Sequence, residues 1–316
     1  MKKKVLVTGG AGFIGSHLAE ALVRRGERVV VLDNLSEGRL GNLKAISKDL
    51  EFIRGDIRSA AAMRRALRGV RIVYHQGALR SVPKSVGRPF LYHEVNATGT
   101  LQLFQLAQEA GVQRVVYASS SSVYGDAVPL PQREDARPVP QSPYAASKLA
   151  SEHYAGIYSR VYGLETVGLR YFNVFGPRQS LENQYAVVVP KFITSLLKGE
   201  PPPINGDGKQ TRDFTYVENV VQANLKAASA RAVSGQVFNI ATGSRCSVLN
   251  LAREIGRILA VPVRPKFLPK RPGDVLHTGA DIRRSQRFLR YRAEVSFQEG
   301  LRRTVRWFDE NRSFWA

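Results

Sequence analysis

A short apolar run, Val5-Leu-Val-Thr8, empties into Gly9-Gly-Ala-Gly12-Phe-Ile-Gly15 and then into a helix-length amphipathic segment. Glycines three apart at a strand-to-helix junction let the backbone turn tightly and lie close to whatever sits over the helix N-terminus, because no Cβ stands in the way. The alternation continues through the first half of the chain. Arg28 to Asp33, Leu50 to Arg54, Arg71 to His75, Arg114 to Ala118 and Glu165 to Arg170 read as further strands, rich in β-branched residues. Phe13 to Arg25, Ala60 to Leu67, Glu94 to Ala110 and Pro143 to Tyr162 have helical periodicity. Strands that alternate with helices pair in parallel, with helices covering the sheet. The expected fold is α/β, a doubly wound parallel sheet.

Beyond Phe175-Gly-Pro177 the pattern loosens. Pro201-Pro-Pro203, Gly206-Asp-Gly208, Pro262, Pro265, Pro269 and Pro272 break the second half into short elements. Residues 1–177 are therefore expected to form a Rossmann-type nucleotide-binding domain, and 178–316 a smaller C-terminal lobe. Some of its segments, such as Val237 to Ile240, are expected to return to the main sheet. There is no internal repeat and no low-complexity tract.

With 316 residues, 43% of them hydrophobic, the chain can bury a large core. No apolar run approaches a membrane span, and Met1-Lys-Lys-Lys-Val-Leu-Val-Thr8 becomes glycine-rich too soon for a signal-peptide core, so a cytoplasmic address is expected. Cys246 is the sole cysteine, which excludes an intramolecular disulfide and a cysteine-based zinc site. His17, His75, His93, His153 and His277 are isolated, and no metal is expected. The formal net charge of +21 would suit an anionic partner. Its carriers are dispersed, however, in pieces such as Arg64-Arg65, Arg283-Arg284 and Arg302-Arg303, with no basic tail and no aromatic-basic signature. Nucleic acid is therefore not expected as a partner; the field suits a small anionic nucleotide. The competing reading, a non-catalytic nucleotide-binding protein with an RNA-binding surface, leaves the acid-base residues described next without a purpose.

Asp33 ends the second strand about twenty residues beyond the glycine loop. A carboxylate there accepts hydrogen bonds from both ribose hydroxyls of a dinucleotide and repels a 2′-phosphate, which selects NAD over NADP. Asp56, in Arg54-Gly-Asp-Ile57, falls near the adenine edge. Farther on, Tyr144 and Lys148 are four apart in Ser142-Pro-Tyr-Ala-Ala-Ser-Lys148, so on a helix they share one face. An ammonium beside a phenol favours its ionised form and makes tyrosine a usable base.

Taken in order, Thr8-Gly-Gly-Ala-Gly-Phe-Ile-Gly15, Tyr117-Ala-Ser-Ser-Ser-Ser-Val-Tyr-Gly125, Tyr144-Ala-Ala-Ser-Lys148, Arg170-Tyr-Phe-Asn-Val-Phe-Gly-Pro177 and Thr211-Arg-Asp-Phe-Thr-Tyr216 resemble the extended short-chain dehydrogenase/reductases, and among them most of all the NAD-dependent UDP-sugar 4-epimerases. The similarity spans essentially the whole chain. It implies that NAD is held by Gly9, Gly12, Phe13, Ile14, Gly15, Asp33, Asn34, Asp56, Ile57, Gln76, Gly77, Ala78, Arg80, Asn96, Ser119, Tyr144, Lys148, Tyr171 and Val174, with Asn96 ordering the central helix. It implies that Tyr144 takes the proton from the sugar 4-hydroxyl while C4 gives its hydride to the cofactor. Lys148 would hold the nicotinamide ribose, and Ser120, with Ser122 nearby, would stabilise the same oxygen. The 4-ketose then turns its other face and takes the hydride back, inverting C4 with the cofactor retained.

On the nucleotide side the resemblance places Arg212 and Arg271 at the diphosphate, Asp274 at the uridine ribose, Asn173 at the diphosphate or sugar, and Val188, Lys191, Ile204 and Asn205 around the uracil. Arg80, Ser120, Tyr144, Asn173, Ala186 and Thr278 fall where the hexose is enclosed. Small Thr278 leaves room for a 2-acetamido group; Gln184 to Lys191 and Ser81 to Ser85 also resemble the N-acetylhexosamine-using branch, whereas Arg80 is larger than its counterpart there. Activity on UDP-GlcNAc/UDP-GalNAc together with UDP-Glc/UDP-Gal is expected. Similar dehydratases carry an acid in the serine segment, and Ser120-Ser121 has none. Uronate 4-epimerases and decarboxylases remain alternatives, with Arg80, Ser81 or Thr278 as carboxylate partners. The resemblance also implies a homodimer, formed through the helices at 94–110 and 143–162 as a four-helix contact.

Overall fold

The computed structural model describes residues 4–181, 188–269 and 276–315. Its centre is a seven-stranded sheet of β1 (Lys4–Thr8), β2 (Arg28–Asp33), β3 (Leu50–Arg54), β4 (Ile72–His75), β5 (Arg114–Ser120), β6 (Glu165–Tyr171) and β11 (Gln236–Ile240). The spatial order is β11-β6-β5-β4-β1-β2-β3, and every pairing is parallel. This is the doubly wound Rossmann arrangement that the alternation of runs implies. β4 begins one residue later than the apolar pattern indicates. β5 and β6 run on to Ser120 and Tyr171, because β6 has a partner on each side and Ser120 pairs with Tyr171.

Successive residues of a strand face opposite sides, and in β1 both sides are buried. Val5 and Val7 pack under α1 (Phe13–Arg24) and α8 (Val217–Ser229), through Leu18, Leu22 and Val220. Leu6 packs on the other side under α2 (Ala60–Leu67), α5 (Gly99–Glu109) and α6 (Pro143–Val161), through Met63, Phe104 and Tyr158. Ser142 caps α6 by accepting a hydrogen bond from the Ala145 amide at 3.1 Å, with Pro143 in the first turn.

The helix expected over 94–110 departs from its periodicity. After α3 (Val82–Gly87) the chain enters α4 (Pro89–Tyr92), passes through a π turn at His93–Thr98 and only then becomes α5. The reason lies in Asn96, which is buried inside that turn. Its amide donates to Leu79 O at 2.9 Å and to Ser147 Oγ at 3.1 Å, and its Oδ1 accepts from Leu79 N at 2.9 Å. A widened turn lets one side chain splice the β4–α3 loop to α6.

The second half builds a separate core from α7 (Val188–Leu197), α9 (Val248–Leu259) and α11 (Phe297–Glu310), with Phe192, Leu251, Ile255, Val305 and Phe308 at its centre. Three two-stranded ribbons edge it: β7 (Val174–Phe175) with β10 (Thr215–Tyr216), β8 (Pro203–Asn205) with β13 (Lys266–Leu268), and β9 (Thr211–Arg212) with β12 (Cys246–Ser247). α8 and β11 come from this half but belong to the main sheet, and α10 (Arg283–Leu289) packs on β11. Among the described residues no helix is long and apolar enough to cross a membrane, and no cluster of His, Cys, Asp and Glu is arranged to hold a metal.

Candidate active site

The chain leaves β1 toward β2 on one side and β4 toward β5 on the other, so a crevice opens beyond the carboxyl ends of β1 and β4. A cavity of about 300 Å³ occupies it. The glycine turn forms its floor. Gly9 has φ +66°, and a Cβ there would stand 2.7 Å from Gly77 Cα; a Cβ on Gly15 would meet Gly9 O at 2.1 Å. α1 starts at Gly12 with no side chain capping its first-turn amides, and Gly12, Phe13, Ile14 and Gly15 all line the cavity. Uncapped amides at a helix N-terminus form a ready site for a pyrophosphate.

Asp33 is buried at the end of β2, and its carboxylate accepts from the Ala11 amide at 2.9 Å and the Leu35 amide at 2.8 Å. Burial pushes its pKa up, against the pull of those two amides. A carboxylate has about four acceptor positions, so two remain for ribose hydroxyls. Asn34 Nδ2 donates to Asp56 at 2.8 Å, and Asp56 is held down to about 2, chiefly by hydrogen bonds from Arg58. Asn34, Asp56, Ile57, Gln76, Gly77, Ala78, Arg80, Ser119 and Tyr171 line the same cavity. Tyr171 OH donates to Gln76 Oε1 at 3.1 Å and accepts from Asn224 at 2.8 Å, which fixes one wall. Asn96 and Val174 do not line the cavity. Asn96 acts from behind it through Leu79, and Val174 lies in the β7 ribbon.

Tyr144 and Lys148 also line the cavity, and Ser120, outside the lining itself, reaches Tyr144. Tyr144 and Lys148 share a face of α6, as their spacing implies. Lys148 Nζ donates to Ala118 O at 2.9 Å, and burial lowers its pKa to about 8, with Glu152 opposing. Burial raises the pKa of Tyr144, and the influences that lower it are a hydrogen bond from Ser120 and the charge of Arg80. Ser120 Oγ accepts from the Ser122 amide at 3.2 Å and from Ser122 Oγ at 2.9 Å, so its own proton is left to donate. Tyr92 meets the Tyr144 ring edge-on, at 6.5 Å between centroids.

The positions assigned to the sugar and nucleotide scatter more widely. Asn173 donates to Thr278 Oγ1 at 3.0 Å, which brings two of the sugar positions together from β6–β7 and from the segment after 276. Arg212 donates to Thr211 O at 3.0 Å and to Leu276 O at 2.9 Å. Val188 and Lys191 lie on α7, and Asn205 ends β8. Ser81 and Ile204 depart from the expectation. Ser81 is fully buried as the cap of α3, accepting from the Lys84 amide, and Ile204 is fully buried in the core of the second half; neither lines the cavity. Ala186, Arg271 and Asp274 lie outside the described residues.

Three charged residues in or beside the cavity escape the sequence reading. Glu37 and Arg58 line the cavity, and Glu37 pairs with Arg80 at 3.4 Å across its mouth. Glu152 sits one turn beyond Lys148, so the four-residue spacing that joins Tyr144 to Lys148 points to it as well.

Behind the glycine turn, His75 is clamped between Thr8 Oγ1 at 2.7 Å and Thr100 Oγ1 at 2.9 Å. Burial, assisted by the charge of Lys148, lowers its pKa to about 3; burial and then Arg178 lower that of His17 to about 4. Both stay neutral in the folded protein but take a proton near 6.5 once unfolded. Their contribution to stability is full above pH 6.5 and is lost as pH falls, toward about 4 for His17 and about 3 for His75. Urea titrations should show this loss, at about 1.4 kcal/mol per pH unit for each histidine. The variant His75→Gln should flatten the slope, and an unchanged slope refutes the assignment.

The chain matches the NAD dependent epimerase/dehydratase family over residues 5–241. It is 39% identical over 314 residues to the UDP-glucose 4-epimerase of Mycolicibacterium smegmatis, across 96% of this chain and 98% of that one. The UDP-N-acetylglucosamine 4-epimerase from Methanobrevibacter ruminantium, solved in complex with UDP-N-acetylmuramic acid, superposes with a TM-score of 0.93 at 40% identity, covering 98% of this chain and 99% of that one. The UDP-glucuronic acid 4-epimerase from Bacillus cereus, solved with UDP-glucuronic acid and NAD, gives a TM-score of 0.90 at 32% identity over 97% and 99% of the two chains. The uncapped glycine turn and the acceptor positions of Asp33 fit NAD, and NAD is the cofactor. With its cofactor crevice, its Tyr144–Lys148 pair and this likeness along its whole length, the chain belongs to the NAD-dependent epimerase/dehydratase family, in the group of extended short-chain dehydrogenase/reductases that contains the UDP-sugar 4-epimerases.

Proposed function

We propose that this protein is an NAD-dependent 4-epimerase of UDP-hexoses, inverting C4 through a transient 4-keto sugar and acting on UDP-GlcNAc/UDP-GalNAc as well as UDP-Glc/UDP-Gal. The observation that carries this reading is the constellation at the inner end of the crevice. A phenol stands beside a serine whose proton is left to donate, and no acid is present in the serine segment. NAD, when bound, supplies the redox partner for C4. Tyr144 takes the proton of the 4-hydroxyl, and Ser120 donates to the oxygen as charge develops on it. A dehydratase needs a further acid to expel water, and Ser120-Ser121-Ser122 offers none. The small Thr278, tied to Asn173, supports the breadth toward 2-acetamido sugars.

Purified protein incubated without added NAD should convert UDP-GlcNAc to UDP-GalNAc and UDP-Glc to UDP-Gal, resolved by anion-exchange chromatography or NMR. Galactose product alone makes Arg80 the better guide to breadth. No product from either, even with NAD added, refutes the reading and leaves UDP-glucuronate as the substrate to try.

We also infer a homodimer. α6 turns Ile157 and Val161 outward, at 40% and 70% exposed, which is an apolar edge suited to a second copy. Light scattering after gel filtration checks it; a monomer overturns it.

A further inference from the structure

Ser119 of β5, Arg170 of β6 and Asn239 of β11 are register partners, so they form one row across three neighbouring strands, on the side of the sheet that α6 covers. Glu152 of α6 comes down onto this row. Arg170 grips its carboxylate with two nitrogens, Nε to Oε1 at 2.9 Å and Nη2 to Oε2 at 2.7 Å, and the Ser119 hydroxyl donates to Oε1. The two charged side chains are 3% and 7% exposed. Tyr124 lies under the guanidinium, 4.7 Å from ring centroid to Cζ, and its hydroxyl donates to Asn239 at 2.7 Å.

A pair this deeply buried is weak evidence for stability, since desolvation offsets much of the attraction and apolar residues of similar volume often serve as well. Its position is more informative. Tyr144, Lys148 and Glu152 follow one another at four-residue intervals on one helix face. Residues 118, 119 and 120 of β5 meet that face: Ala118 O receives Lys148, Ser119 binds Glu152, and Ser120 reaches Tyr144. The middle tie fixes the two outer ones.

We propose that Glu152 is a positioning residue for the reaction: held by Arg170, it locks the end of β5 onto α6 in the register that presents Ser120 to Tyr144, and it is the counter-charge of Lys148. Around Lys148 stand Tyr144 and Glu152 on its own face of α6, His75 on β4 and the Ala118 carbonyl on β5, with Arg170 bound to Glu152. His75 is neutral there, so Glu152 is the anion among these groups. Loss of its charge leaves Lys148 in a buried site that already lowers its pKa to about 8. This role rests on the epimerase reading for its catalytic part only.

Glu152→Gln keeps the size and an acceptor for Ser119 but removes the charge. In NAD-loaded protein without sugar, the titration of Lys148, followed by NMR of labelled lysines, should move to lower pH. In turnover, kcat should fall on the order of 10- to 100-fold with KM little changed, and Glu152→Asp should recover part of it. The double variant Glu152→Met/Arg170→Met removes the buried pair altogether; it should fold stably yet remain slow. If Glu152→Gln does not fold, the double variant decides. An unmoved Lys148 titration, or wild-type kcat in the stable double variant, reduces the pair to scaffolding and overturns the proposal. The sugar-free titration keeps this outcome separate from a wrong choice of substrate.

Discussion

Tyr144→Phe should retain NAD and the fold while losing kcat by about three orders of magnitude, the range associated with removing a positioned general base. The change deletes one oxygen. The ring keeps its edge-on contact with Tyr92, and α6 keeps its Ser142 cap. What disappears is the oxygen that Ser120 addresses and that we propose as the acceptor of the sugar proton. A thousandfold loss corresponds to about 4 kcal/mol of transition-state stabilisation. The measurement is kcat and KM for UDP-Glc or UDP-GlcNAc, with bound NAD quantified after acid release. A kcat within tenfold of wild type removes Tyr144 from the chemistry. A variant that loses its NAD makes the phenol part of the cofactor site.

Gly15→Ala should have the second largest effect, on cofactor retention. The new methyl would stand 2.1 Å from Gly9 O and 2.8 Å from Gly10 Cα, and both obstacles are backbone. No rotamer change relieves such a contact, so the turn itself has to shift, and overpacking of this kind costs about 1–3 kcal/mol. The shift moves the amides that α1 turns toward the cavity, where each 1.4 kcal/mol of lost affinity is about tenfold in Kd. Wild-type protein should carry NAD through purification, and Gly15→Ala should emerge largely without it. Gly41→Ala is the control, because a methyl there meets nothing within 4 Å. Full NAD occupancy in Gly15→Ala, with unchanged circular dichroism, overturns this account of the turn.

The strand and helix segments of the first half, their parallel sheet and the cofactor turn are readable because they depend on patterns local to the chain: period-two and period-3.6 apolarity, three glycines, and an acid at the end of a strand. In the cofactor half of the site the glycine turn, Asp33 and Asp56 follow from the same local signs and the other residues from family likeness, and all but Asn96 and Val174 line one cavity. The substrate half did not read as well. Family likeness places Ile204 beside the uracil, but its side chain is buried in the core of the second half. Ser81 looks like a free hydroxyl until its role as a helix cap is seen. The hydrogen bond from Lys148 to Ala118 O depends on which strand lies beneath α6, and helical spacing carries no such information. Asn96 is the reverse case. Its part in ordering the central helix was expected from family likeness, but the π turn that its buried amide requires breaks the periodicity on which helix boundaries are read.

The return of β11 to the edge of the sheet also bears on how the molecule is made. β6 cannot finish its pairing until residues 236–240 have been synthesised, and α8, which covers one face, is likewise late in sequence. A ribosome that has released only the first 177 residues therefore holds a sheet with β6 as a bare, flat, apolar edge, the kind of surface that recruits other chains. Completion waits on contacts distant in sequence, which slows folding. The nascent chain thus passes through an interval in which the first six strands of the sheet are written while β6 still lacks its outer partner.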